Sequence, residues 1–153
     1  MNPTKVLMVC LGNICRSPLA EGILKSKVQS QDIIVDSAGT GAYHVGNLPD
    51  SRSIAVAKNH GLDITDQRAR KIEVSDLDTF DLIYAMDESN YRNILALAQN
   101  DVQKAKVFMI MNELLPGENV SVPDPYYGGD NGFEHVYQML DEACEVIINK
   151  IKS

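Results

Sequence analysis

The sequence predicts an α/β fold in which a parallel sheet is covered by helices on both faces. Short, nearly unbroken apolar runs of strand length occur at Lys5–Cys10, Ile33–Val35, Leu82–Met86 and Lys106–Ile110. Helical patterns separate these runs, and strands that alternate with helices form parallel sheets joined by right-handed crossovers. The length of 153 residues predicts a single domain over 1–153, which can bury a core without disulfides or metals.

The first strand, Lys5–Cys10, is predicted to end at its cysteine. The loop that follows, Leu11–Arg16, contains a glycine and an asparagine, which both tolerate unusual backbone angles. Ser17 and Pro18 are then typical of a helix start, with a hydroxyl N-cap and a proline at the first helical position. The first helix is therefore expected to point its N-terminus back toward Cys10.

Three further helices follow from capping residues and apolar spacing. Ser51–His60 is predicted to be a helix closed by Gly61, because glycine is favoured just past a helix C-terminus. A second helix is indicated by the helical spacing of Tyr91, Ile94, Leu95 and Ala98. The last helix has the longest apolar stripe, formed by Phe133, Val136, Tyr137, Leu140, Ala143, Cys144, Ile147, Ile148 and Ile151.

Cys10 and Arg16 form a candidate anion site at the seam between the first strand and the first helix. A helix N-terminus presents unpaired N–H groups and a partial positive charge, which together favour a bound anion. The same field favours the thiolate of a nearby cysteine, which is its nucleophilic form. The planar guanidinium of Arg16 can bind two phosphate oxygens at once. The stretch therefore predicts a cradle for a tetrahedral oxyanion with a sulfur nucleophile beneath it.

The stretch CLGNICRS at residues 10–17 resembles the signature of the low molecular weight protein tyrosine phosphatases, a cysteine, five residues, an arginine and a serine. Four further stretches agree with that family in the same order: DSAGT at 36–40, NHG at 59–61, MDESN at 86–90 and DPYYG at 124–128. The resemblance spans essentially the whole chain. It implies a four-stranded parallel sheet of strand order 2-1-3-4, with helices on both faces and the catalytic loop after the first strand.

The resemblance also implies an activity, the hydrolysis of phosphotyrosine and other aryl phosphate monoesters through a cysteinyl-phosphate. Cys10 would be the nucleophile, Arg16 would bind the phosphoryl oxygens, and Asp124 would be the general acid. Asp124 lies between two prolines, which restrict the backbone on both sides. The residues expected to bind phosphate are Leu11, Gly12, Asn13, Ile14, Cys15 and Ser17. Ser17 would also donate its hydroxyl to the sulfur.

Tyrosines are expected at the mouth of the pocket. Tyr126 and Tyr127 would form one wall, with Tyr43 opposite, and aromatic walls favour a flat phenyl ring. The walls would also set the depth of the pocket. A phosphotyrosine would reach the floor of the loop, whereas a phosphoserine would be too short to bring its phosphorus to Cys10.

The resemblance assigns supporting roles to residues around the loop. Asn13 and Ser37 match family positions whose side chains hold the loop in shape by hydrogen bonds. Cys15 would form a reversible disulfide with Cys10 under peroxide. Gln67 stands where many relatives carry a histidine, so the chain departs from the family pattern there.

Composition argues against several other classes of protein. The formal charge is −7 without a cluster of Lys and Arg, which argues against nucleic-acid binding. No apolar run reaches membrane-spanning length, so no membrane partner is expected. Three cysteines without an N-terminal signal segment favour a reducing cytoplasm. The three histidines are scattered, so neither a metal nor a cofactor is expected.

The expected partners are phosphotyrosine proteins, with inorganic phosphate and other oxyanions as competitive inhibitors of a monomeric enzyme. Three alternatives stay open. An arsenate reductase on the same fold would need two further cysteines for a disulfide relay, and only Cys15 and the core-facing Cys144 are available. In a phosphoarginine phosphatase, the resemblance implies threonine where Ile14 stands. A non-catalytic phosphotyrosine-binding module would keep the pocket without the chemistry.

Overall fold

The computed structural model describes residues 3–28, 32–125 and 131–152. Within these ranges four strands alternate with six helices, and a short 3-10 turn follows the last strand. The strands are β1 (Thr4–Cys10), β2 (Ile33–Gly39), β3 (Leu82–Ala85) and β4 (Val107–Met109). The helices are α1 (Arg16–Lys27), α2 (Ser51–Asn59), α3 (Asp76–Thr79), α4 (Glu88–Leu97), α5 (Asp101–Lys104) and α6 (Gly132–Lys152).

The four strands form one parallel sheet. β1 pairs with β2 on one side and with β3 on the other, and β4 pairs with β3, which gives the order β2-β1-β3-β4. This order confirms the fold class that the resemblance implies. The strand order reverses beside β1, and ligands of open parallel sheets bind at such a reversal, outside the carboxyl ends of the strands.

Helices cover both faces of the sheet. Val6 and Met8 of β1 pack in the cluster that contains the apolar residues of α1 and α6. Leu7 and Val9 pack in the cluster on the opposite face, with residues of α3 and α4. β1 is therefore buried on both faces, which is why its sequence is a nearly unbroken apolar run rather than an alternating one.

The start of α1 differs from the prediction. The sequence favours Ser17 as N-cap and Pro18 as the first helical residue, but the helix begins at Arg16 and its N-cap is Cys15. The predicted cap is wrong because the Ser17 hydroxyl bonds the sulfur of Cys10 instead. Pro18 is tolerated at the third helical position, since the first four N–H groups of a helix have no partner within it.

β2 is four residues longer than its apolar run, which ends at Val35. It lies at the edge of the sheet, where buried Ile33 and Val35 alternate with exposed Ile34 and half-buried Asp36. An edge strand accepts polar residues on its exposed face, so the apolar run understated its length. The other predicted strands end within about a residue or two of the observed ones.

The last helix, predicted from its apolar stripe, and the end of α2, predicted from Gly61, are both observed. The apolar stripe of α6 is buried from Phe133 to Ile148. Cys144 is fully buried on this stripe, and burial raises the pKa of its thiol. Gly61, just past α2, has a φ of +81°, a conformation that favours glycine. None of the helices in the ranges given above is long and apolar enough to cross a membrane.

Candidate active site

The loop after β1 forms the floor of a pocket of about 260 Å³. The residues that line it are Cys10, Leu11, Gly12, Ile14, Cys15, Arg16, Tyr43, His44 and Asp124. The pocket thus brings the predicted nucleophile, arginine and aspartate together with Tyr43. Asp124 is 108 positions from Arg16 in the chain, so only the fold makes them neighbours.

The backbone of the loop is held in an unusual conformation. Asn13 is buried and has a φ of +56°, in the left-handed region that asparagine tolerates better than most residues. The segment after β2 packs directly against this loop, because the N–H groups of Thr40 and Gly41 donate to the carbonyls of Cys10 and Leu11. A Cβ atom at Gly39 would lie 2.7 Å from the Leu11 carbonyl oxygen, so the close approach requires glycine.

The Cys10 thiol is 3% exposed, and its sulfur lies 3.0 Å from the hydroxyl oxygen of Ser17. The same hydroxyl oxygen accepts a hydrogen bond of 2.8 Å from the Asn13 side-chain amide. A hydroxyl has a single proton, and an amide N–H can only donate. The proton of Ser17 is therefore available to the sulfur, where it stabilises a thiolate.

A chain of hydrogen bonds extends from the loop into α1. The Asn13 amide also donates to the Ser37 hydroxyl at 2.9 Å, and Ser37 donates to Glu21 at 2.6 Å. The Asn13 side-chain oxygen accepts from the backbone N–H of Arg70 at 3.0 Å. Each polar group of the Asn13 side chain is thus engaged, and the left-handed residue at the centre of the loop is fixed. Asn13 and Ser37 lie where the resemblance places loop-supporting residues.

Glu21 is a residue of this network that the sequence analysis missed. It is 3% exposed, and burial raises its pKa, while hydrogen bonds from Lys25 and Ser37 act in the opposite direction. In the sequence, Glu21 and Lys25 look like an ordinary surface pair at helical spacing. The packing of α1 against β2 is what buries the carboxylate beside Ser37.

Arg16 is held by two hydrogen bonds from one nitrogen. Its Nη1 donates to Asp87 at 2.8 Å and to the backbone carbonyl of Val122 at 3.0 Å. Among residues 3–28, 32–125 and 131–152, neither Nε nor Nη2 makes a hydrogen bond. The second edge of the guanidinium is thus available for two oxygens of an anion in the pocket.

Asp87 is the partner that orients this arginine, a role that the sequence analysis did not predict. One of its carboxylate oxygens accepts from Arg16, and the other caps α4 by accepting from the backbone N–H of Asn90 at 2.7 Å. An aspartate directly before a helix is a recognisable capping signal. Its pairing with Arg16, 71 positions away in the chain, is not recognisable from the sequence.

Asp124 lines the pocket at the end of a segment that is anchored to the sheet. The Val122 N–H donates to the Met86 carbonyl just past β3 at 2.8 Å, and the Val122 carbonyl accepts from Arg16. The segment thereby carries Asp124 to the pocket. Tyr126 and Tyr127 lie outside the described residues.

Two residues after β2 form the rim of the pocket. Tyr43 lies where the sequence predicts a wall and is 76% exposed. His44 also lines the pocket, although the sequence analysis considered the histidines only as metal ligands. A Cβ atom at Gly12 would lie 2.9 Å from the His44 ring, so the glycine lets the imidazole approach the loop. In the described part of the chain, no three His, Cys, Asp or Glu side chains could hold a metal ion.

Gln67 does not join the network around Asn13. Its side-chain nitrogen donates to the Pro18 carbonyl at 3.0 Å, which attaches the segment before Arg70 to the start of α1. Its side-chain oxygen is buried and has no hydrogen-bond partner within the described ranges. The glutamine therefore contacts the first helix, while Glu21 occupies the end of the hydrogen-bond chain.

Comparison with known proteins relates this geometry to a family. The chain matches the family described as low molecular weight phosphotyrosine protein phosphatase over residues 5–153. It is 46% identical over 152 residues to the protein of that name from Schizosaccharomyces pombe, with 96% of each chain covered. It is 42% identical over 150 residues to the protein of the same name from Homo sapiens, covering 95% of this chain and 94% of that one.

Solved structures agree with the sequence comparison. A protein tyrosine phosphatase from Entamoeba histolytica, crystallised with Hepes in the active site, superposes with a TM-score of 0.90 at 41% identity and 97% coverage of each chain. A Drosophila arginine phosphatase superposes equally well, with a TM-score of 0.90 at 36% identity over 98% of this chain and 99% of that one. The chain belongs to the low molecular weight phosphotyrosine protein phosphatase family.

Proposed function

We propose that the protein is a tyrosine phosphatase that hydrolyses phosphotyrosine and other aryl phosphate monoesters through a cysteinyl-phosphate. The observation that carries the proposal is the pocket itself, which gathers Cys10, Arg16 and Asp124 around one cavity. A nucleophile, a bidentate phosphate ligand and a carboxyl group are the three parts that phosphoryl transfer with acid assistance requires.

In the first step, the Cys10 thiolate attacks phosphorus. The S–P bond forms while the bond between phosphorus and the phenolic oxygen breaks, and Asp124 donates its proton to that oxygen. The free edge of Arg16 binds two non-bridging oxygens, where charge has to be stabilised in the transition state.

In the second step, water attacks the phosphocysteine. The Asp124 carboxylate accepts a proton from the water, a P–O bond forms and the S–P bond breaks. Cys10 leaves as a thiolate, which the Ser17 hydroxyl stabilises. Inorganic phosphate departs and Asp124 holds its proton again, so the cycle closes.

The covalent intermediate provides the direct test. Rapid-quench mass spectrometry during turnover of an aryl phosphate should show one added phosphoryl group on wild-type protein and none on Cys10→Ser. Unmodified wild-type protein together with activity in Cys10→Ser would contradict the mechanism. Trapping with Asp124→Ala should then identify the phosphotyrosine proteins that the enzyme acts on.

A second candidate substrate class is phosphoarginine, because the Drosophila arginine phosphatase is as similar in structure as the tyrosine phosphatase. Ile14 lines the pocket where the family resemblance implies threonine in phosphoarginine phosphatases. We expect wild type to prefer phosphotyrosine, and Ile14→Thr to gain relative activity on phosphoarginine. Rates on the two phosphoamino acids, measured for both proteins, decide between the substrates.

An arsenate reductase has less support. A disulfide relay needs reactive cysteines beyond the loop, and Cys144 is fully buried with a raised thiol pKa. Deep burial keeps a thiol neutral and out of reach of a partner.

The proposal includes redox protection of the nucleophile by Cys15, which is buried in the same pocket. Peroxide would oxidise the Cys10 thiolate to a sulfenic acid, and the Cys15 thiol would attack that sulfur with release of water. Peroxide-treated wild type should recover its activity with a thiol reductant, whereas Cys15→Ser should lose it irreversibly. Equal recovery in both proteins would remove this role.

Inorganic phosphate and other oxyanions should compete with substrate, because they would occupy the same cradle beside Arg16. The odd number of cysteines supports a reducing cytoplasm. We expect a monomer, which sedimentation of the purified protein checks.

A further inference from the structure

The first turns of α2 and α6 are joined by a contact between Arg52 and Phe133. The guanidinium carbon of Arg52 lies 4.8 Å from the centre of the Phe133 ring. A cation over the face of an aromatic ring is attracted by the electrons of that face. Phe133 is buried in the core, whereas the Arg52 side chain is 52% exposed. The arginine therefore holds a core residue of α6 from the surface of the molecule.

On the α2 side, Arg52 is connected to the catalytic loop after β1 through Asp50. The Nε and Nη2 atoms of Arg52 donate to the two carboxylate oxygens of Asp50 at 3.1 and 3.2 Å. The backbone N–H of Asp50 donates to the carbonyl of Ile14 at 2.7 Å, and Ile14 lines the active-site pocket. The Ser53 hydroxyl donates to the Cys15 carbonyl at 3.4 Å. The guanidinium is thus fixed relative to the catalytic loop.

On the α6 side, Phe133 is connected to Asp124, the proposed general acid. Phe133 follows Gly132, the first residue of α6, and Pro125 directly follows Asp124. A Cβ atom at Gly132 would lie 2.6 Å from the Pro125 carbonyl oxygen, so the start of the helix packs directly on Pro125. The ring of a proline restricts its own backbone and that of the residue before it. A shift of the first turn of α6 is therefore transmitted to Asp124.

We propose that Arg52 is a positioning residue for acid catalysis, which holds Asp124 at its working distance from Cys10 by anchoring the first turn of α6 to the catalytic loop. This inference rests on the proposed mechanism, in which Asp124 protonates the phenolic oxygen while Cys10 attacks phosphorus. A general acid must lie within about 2.6–3.2 Å of the oxygen that it protonates, so a small displacement of Asp124 slows proton transfer.

The test measures kcat/KM for a series of aryl phosphates, because this constant covers the steps up to the phosphocysteine, in which Asp124 acts as the acid. For Arg52→Ala we expect kcat/KM with phenyl phosphate to fall by about twofold to fivefold, the factor by which a cation–π contact at an exposed site shifts an equilibrium. With dinitrophenyl phosphate, whose phenol departs without a proton, kcat/KM should stay at the wild-type value. Arg52→Lys keeps a cation for the ring and should lose less than Arg52→Ala.

Two controls isolate the effect. Arg92→Ala is the matched variant, because Arg92 is an arginine on α4 that is 69% exposed and pairs with Glu88 at 3.5 Å, and such pairs are weak. It removes the same charge and should leave kcat/KM unchanged across the series. The second control is a double-mutant cycle. In the Asp124→Asn background, Arg52→Ala should cause no further loss with phenyl phosphate, because the acid that it positions is already absent.

The outcomes separate this inference from the proposed function. No loss in Arg52→Ala, an equal loss across all leaving groups, or the same loss with and without Asp124→Asn would overturn the positioning role while the phosphatase stands. A loss in Asp124→Asn that does not depend on the leaving group would overturn the proposed acid, and this inference with it. Absence of turnover of every aryl phosphate by wild type would overturn the proposed function itself.

Discussion

At the scale of single residues, Asp124 makes a prediction that separates acid catalysis from a structural role. Asp124→Asn should slow hydrolysis by about 10²–10⁴ when the leaving group is as basic as the phenol of tyrosine. The loss should shrink for electron-poor phenols, because they depart as stable anions. The measurement is kcat across aryl phosphates with different leaving-group pKa values, which should be nearly flat for wild type and steep for the variant.

A uniform loss across that series would mean that Asp124 only shapes the loop. Another proton donor would then be needed. Asp87 is poorly placed for that role, since both of its carboxylate oxygens already accept hydrogen bonds.

Arg16 gives the second prediction at this scale. Arg16→Lys keeps the positive charge but loses the planar fork, so kcat should fall by about 10²–10³, the usual cost of removing a transition-state donor. Asp87→Asn is the companion variant. Its single side-chain oxygen can still accept from Nη1, although the cap on the Asn90 N–H is then lost, so its loss of kcat should be smaller than that of Arg16→Lys.

Steady-state rates on one aryl phosphate, with inhibition by inorganic phosphate, measure both effects. Weaker phosphate inhibition should accompany the loss of rate in Arg16→Lys. A lysine variant with nearly normal kcat would show that the guanidinium does not contact the phosphoryl group.

At the scale of elements, the catalytic loop depends on α1 through Glu21. The Glu21 carboxylate accepts a hydrogen bond from the Ser37 hydroxyl, so the Ser37 oxygen accepts from Asn13. Asn13 also donates to the Ser17 oxygen, which leaves the Ser17 proton for a hydrogen bond to the sulfur. Glu21→Gln retains a carbonyl oxygen for Ser37 and should keep kcat within a few-fold of wild type. Glu21→Ala removes the acceptor, and kcat should fall by about 10-fold or more, as is usual when a residue that orients a functional side chain is removed.

The pH dependence of kcat distinguishes positioning from simple destabilisation. Glu21→Ala should change the shape of the pH profile of kcat as well as its magnitude, because the hydrogen bond from Ser17 to the sulfur is no longer enforced. A lower kcat with an unchanged pH profile would assign Glu21 to folding alone.

At the scale of the whole molecule, two glutamates should affect stability with opposite dependence on pH. Burial raises the pKa of Glu21 above its ordinary value of 4.5, so the native state binds the proton more tightly than the unfolded chain does. The free energy of unfolding of wild type, relative to Glu21→Gln, should therefore fall as pH rises from below 4.5 through the raised pKa.

Glu134, which connects α6 to His60 past the end of α2, has the opposite sign. Two hydrogen bonds lower its pKa, the larger effect coming from Gln138 and the smaller from His60. The free energy of unfolding that Glu134 contributes, measured as wild type relative to Glu134→Gln, should be present above pH 4.5. It should be lost as pH falls through the lowered pKa. Urea unfolding of wild type, Glu21→Gln and Glu134→Gln between about pH 3 and pH 7 measures both differences. If the free energy of unfolding changes with pH in the same way for all three proteins, both predictions are contradicted.

Local sequence was sufficient for the loop that holds Cys10. Cys10, Asn13 and Arg16 lie within one short stretch, residues 10–16, and a strand followed by a short loop and a helix start has few geometries available. The unbroken apolar run of β1 likewise indicated a strand that is buried on both faces. The family resemblance supplied what local patterns do not contain, namely the strand order and the matching of Asp124 to this loop.

The tertiary structure alone decided which distant groups complete the site. Glu21 and Lys25 have the spacing of a solvated helix pair, and Asp87 has the position of a helix cap. Burial of Glu21 depends on α1 packing against β2, and the hydrogen bond from Arg16 to Asp87 depends on β1 and β3 lying side by side. Side-chain periodicity reports which face of an element is apolar, but the contacts between elements are set by packing and long-range hydrogen bonds. The sequence by itself therefore determined the four strands, the longer helices and the catalytic loop, and the packing determined the residues that orient it.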